Sequence, residues 1–468
     1  MKRNDYSWRE PYWQSTYEQL GADEQAAKVV EALKQFYSLY SDELVEWIAE
    51  LYDPGEGAFY CTHSGKYNDG FLPHTEAVSQ VCSFLEISGM IKHLGGDYRN
   101  AFPEDMKRAI AHFLKRQQLP NGYFYNVAKT KEEFDKHIPA RSRHLQVATV
   151  FLRELGYTPT YDTPNGIKGD GLDIYGNPVS DYKTLEPVEA KADEPKPKQN
   201  GAAVNYPPYL ENRDTFLAYL EERIAPNITT QPYGVGNELN AMFREVKARS
   251  DALLADGADY SLCDTLIGWL NERIDSDTGY WSKRTTFAGT NGFFKIISIY
   301  NVWGVPYPEP VKAAQSILNG ILGDEPSTTN ILELSNLWNA LSYVKHNVIK
   351  FHSPDKRDET LALINAIMKE RGYDAIMNTY KKYSAYRMPD GAFAHRTDHC
   401  LQYHQGDIAV GLGLREGALD ACGLSTLNSI VGAYGIKSIP VYSEREWKIF
   451  EKVLLSQKPV VKNTKPLR

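Results

Sequence analysis

The sequence predicts an all-α fold in which helix pairs follow one another around a single closed ring, with strand confined to short hairpins at turns. Three observations predict it. Apolar residues recur at helical spacing through most of the 468 residues. Four turns share one form, an Asp or Asn shortly before a Gly and then an aromatic one or two residues later: Asp53 to Tyr60, Asn121 to Tyr125, Asp277 to Trp281 and Asp390 to Phe393. Their spacing, about 68, 156 and 113 residues, fits one, three and two units of roughly 50 residues. In each turn the Asx side chain caps, the Gly supplies the positive φ that ends a helix, and the aromatic plugs a seam between helices.

In order, Ala22 to Leu51 predicts one long helix or two broken at Tyr40-Ser41-Asp42, stopped by Asp53-Pro54-Gly55. Pro73-His74-Thr75-Glu76 opens a helix to Gly89, and further helices are expected over 103–118 and 140–155. Residues 158–208 hold eight prolines and no sustained period, which predicts an insert that is either a lid over a cavity mouth or a disordered segment. Helices resume at 213–224, 235–254 and 260–274. Thr290-Asn291-Gly292 opens another to Tyr300, followed by helices over 309–322, 331–344 and 357–383. Ile408 to Arg415 reads as the start of a long apolar helix, and helices near 424–434 and 444–455 precede a basic tail. The ring is therefore expected to comprise residues 1–157 and 209–458, interrupted by the insert 158–208 and followed by the tail 459–468.

Composition bounds the function. A formal net charge of -8 argues against a nucleic-acid partner, which needs clustered Lys and Arg. No run approaches the roughly 20 apolar residues of a membrane span, so no membrane partner is expected. The five cysteines are scattered without a C-x-x-C pair, which predicts no disulfide framework, no structural zinc and a reduced cytoplasmic setting. With 31 Tyr, 17 Phe and 8 Trp the chain is rich in aromatics, which serve as core and rim packing or as platforms for sugar stacking.

The window densest in titratable side chains runs from Met388 to Asp420, with His395, His399, His404 and five carboxylates. His395 and His399 have metal spacing only on a helix; after Asp390-Gly391-Ala392-Phe393 an extended segment is expected, which would separate them by about 13 Å. No metal or cofactor is predicted. His74 and Glu76 sit at a helix start, where Glu is favoured by the dipole and can act in a capping arrangement, or can face a cavity together with Asp69. Asn291, Lys295 and Tyr300 share a helix at spacings suited to sugar hydroxyls or a carboxylate. Gly234-Val235-Gly236 follows no strand, so it is not read as a phosphate loop.

Asp390-Gly391-Ala392-Phe393, Asp277-Thr278-Gly279-Tyr280-Trp281 and Asn121-Gly122-Tyr123-Phe124 resemble the Asp-Gly-Gly-Phe and Gly-x-Trp turns of the α/α-toroid superfamily. That shape is shared by terpene cyclases, protein prenyltransferases and many (α/α)6 glycoside hydrolases and polysaccharide lyases. Within it the chain looks most like bacterial prenyltransferase and squalene-cyclase repeat-like proteins. Two departures stand out: the Asp-x-Asp-Asp acid of squalene and hopene cyclases is absent, and no Asp, Cys and His set of a zinc prenyltransferase is evident. The resemblance implies a cleft at one mouth of an (α/α)6-type barrel.

The function expected is a carbohydrate-active enzyme, a glycoside hydrolase or a lyase acting on an oligosaccharide. Hydrolysis would use two carboxylates across the bond, Glu76 or Asp69 facing Asp398 or Asp407. Elimination would use His395, His404 or Tyr403 as base, with Asn291 or Arg396 neutralising a uronate. The catalytic candidates are Glu76, His395, Asp398, Asp69 and His404; those for substrate binding are His74, Tyr67, Asn291, Lys295, Arg396, Tyr403 and Asp407. The alternatives are an isoprenoid- or terpenoid-binding or cyclase-like protein, discriminated by an apolar cavity, and a non-catalytic scaffold, discriminated by a blocked one.

Overall fold

The structure is a computed structural model and describes residues 3–126, 131–181, 206–323, 330–404 and 408–463. Helices dominate it. α1 (Glu10–Gln19), α2 (Glu24–Tyr37) and α3 (Asp42–Glu50) come first, and the expected break at Tyr40-Ser41 separates the last two. The hairpin β1 (Tyr52–Asp53) and β2 (Ala58–Phe59) pairs antiparallel, Tyr52 opposite Phe59. Then follow α4 (His63–Tyr67), α5 (Thr75–Ser88), α6 (Tyr98–Ala101), α7 (Glu104–Lys115), α8 (Lys131–Asp135) and α9 (Ile138–Glu154). Beyond the insert lie α10 (Arg213–Tyr219), a π turn at Leu220–Ile224, α11 (Ala225–Ile228), α12 (Pro232–Ala255) and α13 (Leu262–Asn271). The remainder is α14 (Phe287–Trp303), α15 (Pro310–Leu322), α16 (Ile331–Phe351), α17 (Pro354–Ser384), a hairpin of β3 (Tyr403–His404) and β4 (Ile408–Ala409), α18 (Ser425–Tyr434) and α19 (Glu444–Ser456).

Six helices touch in succession: α5 meets α9, α9 meets α12, α12 meets α14, α14 meets α16 and α16 meets α18. The 3-10 turn Leu419–Cys422 before α18 touches both α16 and α5, returning the series to its start. Each member follows one of α3, α7, α10, α13, α15 and α17 in the chain. Among these α10 meets α13 and α15 meets α17, while α2 lies on α17 and α19 on α3. The buried apolar side chains form one cluster from Trp13 to Leu454, which includes residues from before and after the insert. Among the described residues no helix is long and apolar enough to cross a membrane.

The four turns are built alike. Gly57, Gly122, Gly279 and Gly391 all have positive φ, between 66° and 83°. The aromatics Phe59, Phe124, Tyr280 and Phe393 are fully buried, each paired antiparallel with the preceding helix end: Tyr52, Gln118, Asp275 and Arg387. Asp53, Asn121 and Asp390 accept a backbone N–H two residues on. In the third turn the cap is Asp275, not Asp277: its Oδ1 accepts from Asp277 N–H at 3.1 Å and Thr278 N–H at 3.0 Å.

The glycines also let the turns approach other helices. A Cβ on Gly57, Gly279 or Gly391 would lie 2.5 to 2.8 Å from the backbone of Ala109, Ala313 or Leu44, in α7, α15 and α3. We predict that Gly279→Ala lowers stability by roughly 3 kcal/mol, combining left-handed strain with a backbone clash. Gly156→Ala, also at positive φ but facing open space, should cost only about 1 kcal/mol. Equal denaturant midpoints for the two variants would refute the packing part of this account.

Three expectations change. The interval from Asn121 to Asp277 spans two helix pairs, not three, because the insert takes up the length of the third. α14 begins at Phe287, capped by the Thr286 side chain, so Asn291 and Gly292 lie inside it. There Gly292 and Gly236 let α14 and α12 cross closely: a Cβ on Gly236 would lie 2.6 Å from Gly292 O. Ile408 to Arg415 is a short strand and loop rather than the start of a helix, because Val410 N–H donates to Gln402 O and Cys400 N–H to Leu414 O. The basic tail lies on the fold as far as Asn463: Lys462 donates to Gly65 O and Phe71 O. Of the insert, residues 158–181 lie against the end of α7, through Lys115 with Asp170 at 3.0 Å and Gln118 with Tyr161 at 2.9 Å. Residues 182–205 of the lid expectation fall outside the described residues.

Candidate functional site

Glu76 is the second residue of α5 and 4% exposed. The cap of that helix is His74, whose Nδ1 accepts the Glu76 N–H at 3.1 Å, so the Glu76 carboxylate is not needed to cap. It turns instead to Arg143 on α9, with Nε 2.5 Å from Oε1. The two lie beside a cavity of about 220 Å³ between α5, α9 and α12, lined by Glu76, Ser79, Gln80, Arg143, Gln146, Val147, Asn237, Asn240 and Ala241.

Polar groups from the other helices of the series reach the same neighbourhood. Burial pushes the Tyr233 hydroxyl on α12 up; Arg143 opposes this, while Glu333, Glu76 and Asp420 add to it. The Cys61 thiol is likewise pushed up by burial, then by Asp420 and Glu76. Such coupling decays with distance, so these groups lie within electrostatic reach of one another. On α14, burial lowers the Lys295 ammonium to about 7, with Arg143 adding to the fall and Glu76 opposing it. Thus α5, α9, α12, α14, α16 and the turn before α18 supply Glu76, Arg143, Tyr233, Lys295, Glu333 and Asp420. Glu76, Tyr233 and Glu333 lie in the first turns of α5, α12 and α16 and Asp420 in the turn before α18, while Arg143 and Lys295 lie further along α9 and α14.

Asp420 is held by His395, whose Nε2 lies 2.8 Å from Oδ1, with the two side chains 2% and 7% exposed. Burial pushes the His395 imidazolium down, but the charge and hydrogen bond of Asp420, helped by Cys400, outweigh it and raise it to about 10. The Leu401 N–H, 3.1 Å from Nδ1, pulls the other way, since it needs a lone pair there. Nε2–H donates to Asp420 in either form, and a proton on Nδ1 as well requires the Leu401 amide to move away. We predict that His395→Phe, which removes this donor from a buried carboxylate, lowers stability by about 2 kcal/mol. Asp420→Asn in the same background should recover part of that loss; an unchanged unfolding midpoint for His395→Phe would show that the pair contributes nothing.

The other expected residues fall elsewhere or in supporting roles. Asn291 is buried and bound within the fold, donating to Phe287 O at 2.8 Å and accepting from Asn336 Nδ2 at 2.5 Å. Arg396 borders the cluster, since it and Glu333 both act on the Tyr386 hydroxyl. Asp398 is exposed and pairs with His399 at 2.7 Å. The two histidines of the metal spacing thus have separate partners, and among the described residues no three His, Cys, Asp or Glu side chains gather as a metal site. Asp69 is exposed and accepts the Asn463 N–H from the tail. Tyr67 and Tyr403 are exposed, at 60% and 52%. His404 lies in β3, and Asp407 falls outside the described residues.

Arg143, Tyr233, Glu333 and Asp420 are absent from the sequence expectation. One signal pointed to Arg143: α9 begins with Arg141, Arg143 and His144 and has no acidic residue in its first turn, against the preference set by the helix dipole. No family model, curated protein or solved structure matches this chain.

Proposed function

We propose that the chain is an α/α toroid, an (α/α)6-type barrel, and a carbohydrate-active enzyme that cleaves a glycosidic bond at the end of the barrel where the first turns of its inner helices meet. Support for the toroid is the closed succession of α5, α9, α12, α14, α16 and α18, each preceded by a partner helix. The observation that carries the function is the polarity of the cavity. Seven of its nine lining side chains are polar, including a carboxylate and a guanidinium, and only Val147 and Ala241 are apolar. An isoprenoid would leave a cavity group that the fold does not pair, such as Gln80 Oε1, without a partner at a cost of about 1–3 kcal/mol, whereas a sugar hydroxyl satisfies it.

In this reading Glu76 transfers the proton to or from the glycosidic oxygen, and Arg143 holds its carboxylate in place. Asp420, positioned by His395, is the second carboxylate. Tyr233 and Asn240 contact hydroxyls. The test is a panel of neutral and uronic-acid oligosaccharides read by product mass. Addition of water identifies hydrolysis; products without added water, absorbing at about 230–240 nm, identify elimination through a C=C bond conjugated to a carboxylate. No cleavage across the panel, with tight binding of a prenyl diphosphate, would refute the carbohydrate reading.

A further inference from the structure

Lys295 is a buried cation without an acceptor. It is 9% exposed, and among the described residues its Nζ makes no hydrogen bond or ion pair; its one contact is the Phe294 ring, at 4.8 Å from the centroid. The groups that could have matched it are already engaged. Glu76 pairs with Arg143, and Asn291 Oδ1 accepts from Asn336. Asn240 Nδ2 donates to the Lys295 backbone carbonyl at 3.2 Å, so it supplies no acceptor to the ammonium. A buried ammonium lacking an anion or a hydrogen-bond acceptor costs several kcal/mol, which is relieved when the amine loses its proton or when an acceptor arrives with a ligand.

The place of this cation narrows what arrives. Lys295 sits on α14 where that helix crosses α12: a Cβ on Gly236 would lie 3.1 Å from Lys295 Cβ. Asn237, the next residue, lines the polar cavity, as do Arg143 and Glu76, the two charges that act on Lys295. Lys295 itself is not in the cavity wall, but it adjoins two of the residues that are, Asn237 and Asn240, and its ammonium is within electrostatic reach of Arg143 and Glu76. Arg143 is occupied by Glu76 and makes a matched pair, whereas Lys295 is an unmatched positive charge able to take one further anionic group.

We propose that the substrate carries a carboxylate, as in a uronic-acid unit, and that Lys295 binds it. This rests on the carbohydrate reading for the sugar and on the geometry of Lys295 for the acid. Lys295 is then a specificity-determining residue: a neutral hexose lacks the anion that the ammonium requires, and a charge-assisted hydrogen bond to carboxylate supplies it.

The test is direct binding to the full chain by isothermal titration calorimetry at pH 6. The ligands are glucuronate, glucose, galacturonate, galactose and acetate. The expected result is that at least one uronate binds ten-fold or more tightly than its neutral counterpart, with acetate weaker than that uronate. Lys295→Gln should bring the ratio of uronate to neutral sugar close to one, and Lys295→Arg should retain part of the preference. The proposal is overturned if wild-type protein shows no preference or binds neither kind of sugar, if acetate binds as well as the uronate, or if the preference survives in Lys295→Gln. The wild-type comparison decides even if the variants do not fold. Cleavage is scored separately. Cleavage of neutral oligosaccharides alone would uphold the carbohydrate enzyme and overturn acid recognition. Uronate preference without cleavage of any oligosaccharide would uphold acid recognition and overturn the enzyme.

Discussion

Replacing Glu76 by Gln is expected to lower turnover on the oligosaccharide that the protein cleaves by about 10³-fold or more, because a group that transfers a proton in the transition state contributes roughly 10²–10⁴ and Gln cannot transfer it. The same change should cost only about 1–2 kcal/mol of stability. The cap of α5 remains, since His74 supplies it. The Arg143 side chain retains 31% exposure, so its charge is not stranded when its ion-pair partner is lost. Turnover and thermal unfolding measured on the same preparation separate the two roles. A Glu76→Gln protein with wild-type turnover and a lowered melting temperature would make the Glu76–Arg143 pair structural and remove the residue from the catalytic assignment.

Lys295→Met should stabilise the folded protein at pH 6. In the fold the ammonium falls from its ordinary 10.5 to about 7. At roughly 1.4 kcal/mol per pH unit this is at most about 5 kcal/mol of opposition to folding, and on the order of 3 after local rearrangement. The sign follows from which state holds the proton more tightly. A lysine with a depressed folded-state value binds its proton better in the unfolded chain, so it opposes folding in full below about 7. The opposition fades as pH rises from about 7 towards 10.5, where both states lose the charge. Denaturant unfolding of wild type and variant at pH 6 and pH 9 should show a gain of about 3 kcal/mol at the lower pH and a smaller gain at the higher. A gain independent of pH would show that Met improves packing and that the buried charge is not the cause. Destabilisation at pH 6 would show that the ammonium has a stabilising partner.

What the sequence determined by itself is local. The all-helical class follows from apolar periodicity, and the four turns follow from Gly and its neighbours: positive φ at Gly57, Gly122, Gly279 and Gly391, with a buried aromatic after each, depends on residues within a few positions of one another. The break between α2 and α3 is legible for the same reason. Even locally, a choice between two near-equivalent groups was not. Asp275 rather than Asp277 caps the third turn, and His74 rather than Glu76 caps α5, because each outcome depends on which side chain the surrounding packing leaves free.

Tertiary structure alone decided the site. Glu76 meets Arg143 across 67 positions of sequence, and His395 meets Asp420 across a loop whose helical reading the backbone pairing of Cys400 with Leu414 overrules. Density of titratable residues between Met388 and Asp420 singled out a segment but ranked its members by proximity in sequence. Asp398 is exposed, whereas Asp420, at the far end of the same stretch, is buried and faces the cluster. Lys295 makes the same point in its electrostatics. Nothing in its neighbours along α14 lowers the ammonium; burial does so first and Arg143 of α9 second, and both exist only once α9, α12 and α14 are packed together.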